Sequence, residues 1–313
     1  MAATLTSNQS LNTNLRLAQA LLSGKGKFKG TMDMVFNQVD PQRVDELFSI
    51  STGMGLLTEV TQNSAYPQAA INEFASKSVT QRTFKKAIPV SMLMKRFDNY
   101  NVVSREVSRA GYRMSQTKEN LMASILIGST TTTLTWDGLP LLSASHKIGT
   151  SGQTQSNIIT GGFSEQTVQD GLVRLHSLKD HDNIMGMYDT LCCVFPPALH
   201  NEAYRIFRSE GSPSSANRYT NPLDGKAGIY MTDNQNIELY ESSFLSSING
   251  GSDTTAYLMS DKLFHELKYL ESIAPKMTFL DASKTQTGGD EYRFDYAAAA
   301  VAVDYLGVVG ITV

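Results

Sequence analysis

NVVSREVSRAGYRMSQTKENLMASILIG, residues 101–128, places Val103, Val107, Ala110, Met114, Leu121 and Ile125 at steps of four, three, four, seven and four. At about 100° per residue these positions fall on one narrow stripe, which predicts a single long amphipathic helix with that stripe buried. Arg105, Arg109 and Arg113 project from the opposite side. Asn101 is placed to cap the first turn with its side chain, and Gly128 to stop the last. At about 1.5 Å per residue the helix would run roughly 40 Å. Gly111 sits inside it at a cost of about 1 kcal/mol relative to Ala, which is expected where another backbone passes close by.

The bulk numbers set the class. A chain of 313 residues with 41% hydrophobic and 18% charged content buries a large core, in one domain or two intimate ones. A net charge of -3 excludes broad electrostatic attraction to nucleic acid, while local basic patches stay open. The two cysteines, Cys192 and Cys193, are adjacent, so they cannot staple distant segments and have no zinc-ligand spacing. Buried thiols and reducing assembly conditions are expected. No apolar run approaches the roughly 20 residues that span a membrane, and MAATLTSNQS lacks the pattern of a signal peptide, so a cytoplasmic product with no cleaved leader is expected.

Taken in order, residues 1–54 are rich in Asn, Thr, Ser, Gln and Gly and read as an extended arm with helical pieces at 11–22 and 41–48. Lys25, Lys27 and Lys29 are spaced by glycines and phenylalanine in GKGKFKG, which lacks the order of a phosphate-binding loop and reads instead as a basic linker. Strands are expected at 69–74, 79–84 and 87–93, with a turn at Ser76, Lys77 and Ser78, as a polar ribbon carrying Arg82, Lys85 and Lys86. Such a ribbon is barely stable alone and wants a neighbour. His146, near Ser143 and Ser145, has no nucleophile elbow beside it and is expected to hydrogen-bond locally.

Beyond it, Val168, Leu172 and Leu175 make one face of a helix from Ser164. A strand at 190–195 runs into Pro196 and Pro197, which open a helix with Leu199, Ala203, Ile206 and Phe207 inward. A turn-rich loop at 212–228, strands at 229–231, 237–240 and 257–259, and a flexible INGGSD follow. A helix at 261–270 is expected to face Leu263, Leu267 and Leu270 inward, and the Ala- and Val-rich 292–305 to form a central strand under the long helix.

In this order of elements, VTQRTFKKAIPVS, DGLPLLSASHK with GQTQSN, VFPPALHNEAYRI and EYRFDYAAAAVAVDYLGVVGI resemble the major capsid proteins of tailed bacteriophages. The fold is that of the Hong Kong 97 phage, and the wording is most like the Mu-type major head subunits. The resemblance covers about residues 55–313. It implies an α+β chain with an N-terminal arm (1–54), an E-loop hairpin (55–98), and a peripheral domain (99–161 and 253–313) built on the spine helix 101–128. An axial domain (162–252) would be inserted in it.

It also implies self-assembly as pentamers and hexamers into an icosahedral shell around double-stranded DNA, assembled in the host cytoplasm, with no membrane, cofactor or metal. A separate scaffolding protein, a portal and a decoration or cement protein are the implied partners, DNA being enclosed without specific binding. Some members crosslink an E-loop lysine to a neighbour's asparagine. Lys77, Lys85 and Lys86 lie in that segment, but nothing marks the asparagine or the catalytic acid, so noncovalent assembly is expected. The expected intersubunit contacts are Lys25, Lys27, Lys29, Lys77, Arg82, Lys85, Lys86, Arg105, Arg109 and Arg113. An encapsulin-type compartment shares the implied fold. A soluble hydrolase would need a nucleophile with a partnered base, and none of the five histidines stands in such a pattern.

Overall fold

The computed structural model describes residues 16–313 apart from 54, 63–64, 70, 92, 94–96, 98–100, 189, 191, 212–220, 222–236, 263 and 282–288. The start of the expected helix 11–22, the expected strand 229–231, Leu263 and most of the turn-rich loop 212–228 lie outside the described residues.

The long helix is Val102–Ile127, and it buries Val107, Met114, Leu121, Met122, Ala123 and Leu126. Its ends differ from expectation: Asn101 has φ 51° with no side-chain cap, and Gly128 closes the helix at φ -79° through its N–H to Ser124 and Leu126. A second helix, at 16–27, crosses it. Leu17 and Leu21 of that arm helix pack with Val107 and Met114 and with Val90, Tyr292 and Phe294. Gly24 and Gly111 make the crossing possible, since a β-carbon on Gly24 would overlap the Ser108 carbonyl and one on Gly111 the Leu21 carbonyl.

Below the helix lies a four-stranded sheet in the order β1 (Asn37–Val39), β11 (Leu267–Leu280), β12 (Asp290–Ala302), β4 (Arg82–Val90). β12 is interior, antiparallel to both neighbours, and carries Tyr292 and Phe294 toward the two helices. On its other side Val301 and Leu270 meet Ile50 and the partly buried Phe48, Phe74 and Val79. These last belong to a hairpin, β2 (Asp45–Ser51) with β3 (Glu73–Thr80).

Several elements differ from the sequence reading. The segment expected to be helical at 41–48 contributes to β2, in which Glu46, Phe48 and Ile50 alternate inward, a period of two that overrides helix propensity. Ser76, Lys77 and Ser78 lie inside β3 instead of forming a turn, and Gln81 alone separates β3 from β4. β4 is no partner of β3, because it pairs along its length with β12. Leu267 and Leu270 lie in strand β11, not in a helix. The second half of the expected arm is core: Met32, Val35 and Phe36 are fully buried. INGGSD is tied down, with Asp253 accepting from Ser246 Oγ at 2.8 Å and Ser247 N at 3.1 Å.

A second, five-stranded sheet runs β7 (Ile158–Thr160), β13 (Val308–Thr312), β10 (Ala256–Met259), β8 (Cys192–Phe195), β9 (Glu238–Glu241). It takes strands from both sides of positions 162 and 253, so the lobe at 162–252 shares one continuous sheet with the end of the chain. Helix Glu165–Ser177 covers it with Val168, Leu172 and Leu175, its first turn held by a Ser164–Thr167 capping box. Helix His200–Arg208 buries Ala203, Ile206 and Phe207 as the pattern requires.

Candidate intersubunit surfaces and a basic groove

The ten cations named from the sequence separate into three groups. Lys25 serves the chain itself, its Nζ donating to the Pro275 carbonyl at 2.6 Å. Burial, more than the nearby charges, holds its pKa below the usual lysine range. Lys29 is exposed after the arm helix, Lys77 is half-buried opposite Phe48, and Arg82 is exposed at the start of β4. The remaining six, Lys27, Lys85, Lys86, Arg105, Arg109 and Arg113, line one groove of about 1560 Å³ between the arm helix, the long helix and the β4–β12 edge. Glu106 is the one carboxylate among the described residues lining it, and it is paired with Arg109 at 2.6 Å. Lys86 lies opposite Phe294, on the helix-facing side, whereas Lys85 is opposite Asp295 on the alternate face.

A different surface is apolar. Between β2 and β3 and around them, Val44, Leu47, Leu56, Leu57, Val60, Tyr66 and Ile71 are all exposed, Leu57 by 88% and Tyr66 by 93%. Single exposed apolar side chains are ordinary, but here seven fall within residues 44–71.

Sequence reasoning missed the polar clamps that position this segment. Asp182 accepts from Gly53 N and Gly55 N, each at 3.1 Å, and so holds the start of the hairpin loop. Beside it His181 Nε2 lies 2.7 Å from Asp304 Oδ2, and its ring packs edge-on against Phe74 and Trp136. Asp304 also accepts from Trp136 Nε1 at 2.9 Å and Tyr305 N at 2.7 Å. Burial opposes charge on His181, yet Asp304, with Asp180 and Asp182 behind it, raises its pKa above the ordinary value. Nothing in the spacing of Trp136, His181 and Asp304 marks them as neighbours, because they come from three distant segments.

His146 is fully buried against local partners, as expected. Its Nδ1 is 2.8 Å from Asp137, its Nε2 3.2 Å from the Leu141 carbonyl, and its ring stacks on Tyr305 with centroids 3.9 Å apart. Burial pushes the Asp137 pKa up, but hydrogen bonds from His146 and Thr135 outweigh it and bring the value down to about 2. This is a structural clamp on the 134–148 loop: both ring nitrogens of His146 are taken by Asp137 and the Leu141 carbonyl, not by Ser143 or Ser145. Glu119 is another unforeseen clamp: buried on the long helix, it accepts from Thr31 N and Oγ at 3.0 Å each and from Met32 N at 3.2 Å. Cys192 and Cys193 are free and buried, and burial raises both thiol pKa values, that of Cys192 to about 12. No helix among the described residues is long and apolar enough to cross a membrane.

A family model for phage capsid protein matches residues 74–311, which takes in both sheets and the long helix. The chain belongs to the phage capsid protein family. The family consists of structural proteins of the shell, not enzymes. Solved structures agree on the fold. The capsid protein is similar to "Procapsid of bacteriophage JBD30", with a TM-score of 0.54 at 10% identity over 99% of this chain and 75% of that one. "Capsid of Ralstonia phage GP4" gives 0.56 at 12% identity, over 88% and 86% of the two chains. A virus-like particle from Pyrococcus furiosus gives 0.54 at 9% identity, over 94% and 96%. Comparison with curated proteins finds no matching sequence. The α+β capsid fold of the Hong Kong 97 type, read from four segments in order, is therefore this capsid protein's fold.

Proposed function

We propose that this capsid protein is the major head subunit, associating as pentamers and hexamers to enclose double-stranded DNA inside the host cytoplasm. The family match over both sheets carries the reading. The exposed apolar segment between β2 and β3 supports it, because this chain offers nothing among its described residues to cover Leu56, Leu57 and Tyr66. In this reading residues 55–98, with β3 and β4, act as the E-loop, to which β2 of the arm pairs, the long helix as the spine of the peripheral domain, and the 162–252 lobe as the axial domain. Lys29, Lys77 and Arg82 are its candidate intersubunit contacts. A scaffolding protein, a portal and a decoration protein are the further partners this assembly calls for.

Electron microscopy and light scattering of the purified protein, alone and with its scaffolding partner, test the proposal. Closed shells or capsomers of five and six are expected, and a monodisperse monomer under every assembly condition overturns it. The similarity to the Pyrococcus furiosus particle keeps one second reading, a compartment shell. Shells that form around protein cargo and never hold nucleic acid would favour that one.

A further inference from the structure

The groove between the arm helix and the long helix is built of cations that the fold does not use. Lys27, Lys86 and Arg105 have no ion-pair partner among the described residues, and Arg113 meets only the neutral Gln116, at 2.7 Å. Arg109 is neutralised by Glu106, and Lys85 turns toward the Asp295 side, so four charges remain uncompensated around one groove. In a chain whose net charge is -3, this is a strong local concentration of positive charge.

The spacing is regular. Arg105, Arg109 and Arg113 follow each other by four residues, about 6 Å along the helix axis, in one slowly turning row. Asn101, Ser104, Ser108 and Thr117 line the same groove along this helix and its start. Phe294, Tyr296 and Met114 form the floor, but each is already buried by the chain itself. Partly buried Phe84, Ile88, Ala110 and Tyr112 line its lower walls, and above them stands a rim of guanidinium, ammonium, hydroxyl and amide groups. These are the groups that bind phosphate oxygens, with the planar guanidinium fork suited to two of them at once.

We infer that this groove binds the phosphate backbone of nucleic acid, without sequence preference, and that it marks the face of the subunit turned toward the enclosed DNA. The occupant is a polyphosphate strand because the row of arginines repeats at a step comparable with successive phosphates, and because four cations without an ion-pair partner among the described residues stand around one groove. The identity of the polyanion as DNA rests on the shell reading above; the binding chemistry does not. The competing occupant is an acidic protein strand, which would add to the free edge of β4.

Fluorescence anisotropy on unassembled subunits, with a short mixed-sequence duplex and with polyglutamate of matched charge, separates these. With four phosphates neutralised, log K against log salt has an expected slope of about -3.6, so affinity falls about 150-fold between about 50 and 200 mM salt. The double variant Arg105→Gln, Arg113→Gln alters only exposed side chains and is expected to halve that slope to about -1.8. Its circular dichroism and unfolding midpoint should match the parent's. Equal duplex binding by parent and variant overturns the inference, as does polyglutamate binding as tightly as duplex. Failure to form shells, with duplex binding intact, would count against the head-subunit reading and leave the groove assignment standing.

Discussion

Gly111 of the long helix lies so close to Leu21 of the arm helix that a β-carbon at position 111 would overlap the Leu21 carbonyl oxygen. The obstruction is backbone, which cannot swing away as a flexible side chain would. Gly111→Ala should therefore reverse the usual preference: the gain of about 1 kcal/mol from helix propensity is outweighed by about 1–3 kcal/mol of overpacking. Urea unfolding of the subunit should show lower stability, and hydrogen exchange should rise first in residues 16–27. A stabilised variant would mean the two helices are not in this contact.

Removal of residues 1–30 tests the same packing from the other side. Leu17 and Leu21 are 4% and 6% exposed, and each truncation of such a side chain costs about 2–5 kcal/mol. The shortened chain is expected to lose several kcal/mol of stability as well as assembly. An equally stable shortened chain would show the arm helix to be dispensable for the fold.

The His181–Asp304 pair makes the docking of the β2–β3 hairpin pH-dependent. Because the folded pKa of His181 lies above its ordinary 6.5, the stabilisation is fully present below that pH and is lost as pH rises through the folded value. Trp136, the only tryptophan, stands 5.6 Å from His181 between ring centroids, and an imidazolium quenches an adjacent indole more than a neutral ring does. Fluorescence should rise with a midpoint above 6.5, and His181→Gln should flatten the curve. Exchange protection of the Phe74 segment should fall over the same range. A midpoint at or below 6.5 would contradict the pairing.

Asp137 is expected to resist acid. Its pKa, lowered to about 2, means its contribution is present above the usual carboxylate range and lost only as pH falls through about 2. Asp137→Asn removes the charged acceptor shared by His146 Nδ1, Thr135 Oγ1 and Leu139 N and should cost about 1–3 kcal/mol. Thermal unfolding at neutral pH would reveal it. A change below about 1 kcal/mol would show that the pair does not hold the loop.

Glu119 gives the opposite sign. Burial raises its pKa despite the hydrogen bonds from Thr31 and Met32, so it weighs against stability as pH rises through its folded value. Glu119→Gln keeps an acceptor for those N–H groups and should be mild, whereas Glu119→Ala leaves them unsatisfied at about 1–3 kcal/mol each. Equal losses in both variants, by denaturant titration, would rule out the capping role.

By itself the sequence determined the long helix, its buried stripe and its arginine row, because a period of 3.6 residues is a local property of the chain. Gly111 could be read the same way, since a helix tolerates glycine only at a cost that something must justify. The helix 165–177 and the strand–Pro–helix at 192–208 were legible for the same reason, as was the family, carried by short segments in a fixed order. The turn assigned to Ser76, Lys77 and Ser78 and the helix assigned to 261–270 were not. Both segments are polar or mixed, and only pairing with β2 makes the first a strand instead of a turn, as pairing with β12 makes the end of the second a strand instead of a helix. Tertiary structure alone decided that Lys25 turns inward while Lys27 lines a groove with residues 86, 105 and 113, and that Trp136, His181 and Asp304 meet beneath the hairpin. Those relationships join positions up to 250 residues apart, and they arise from the way sheet and helices close around one core, which no spacing in the chain records.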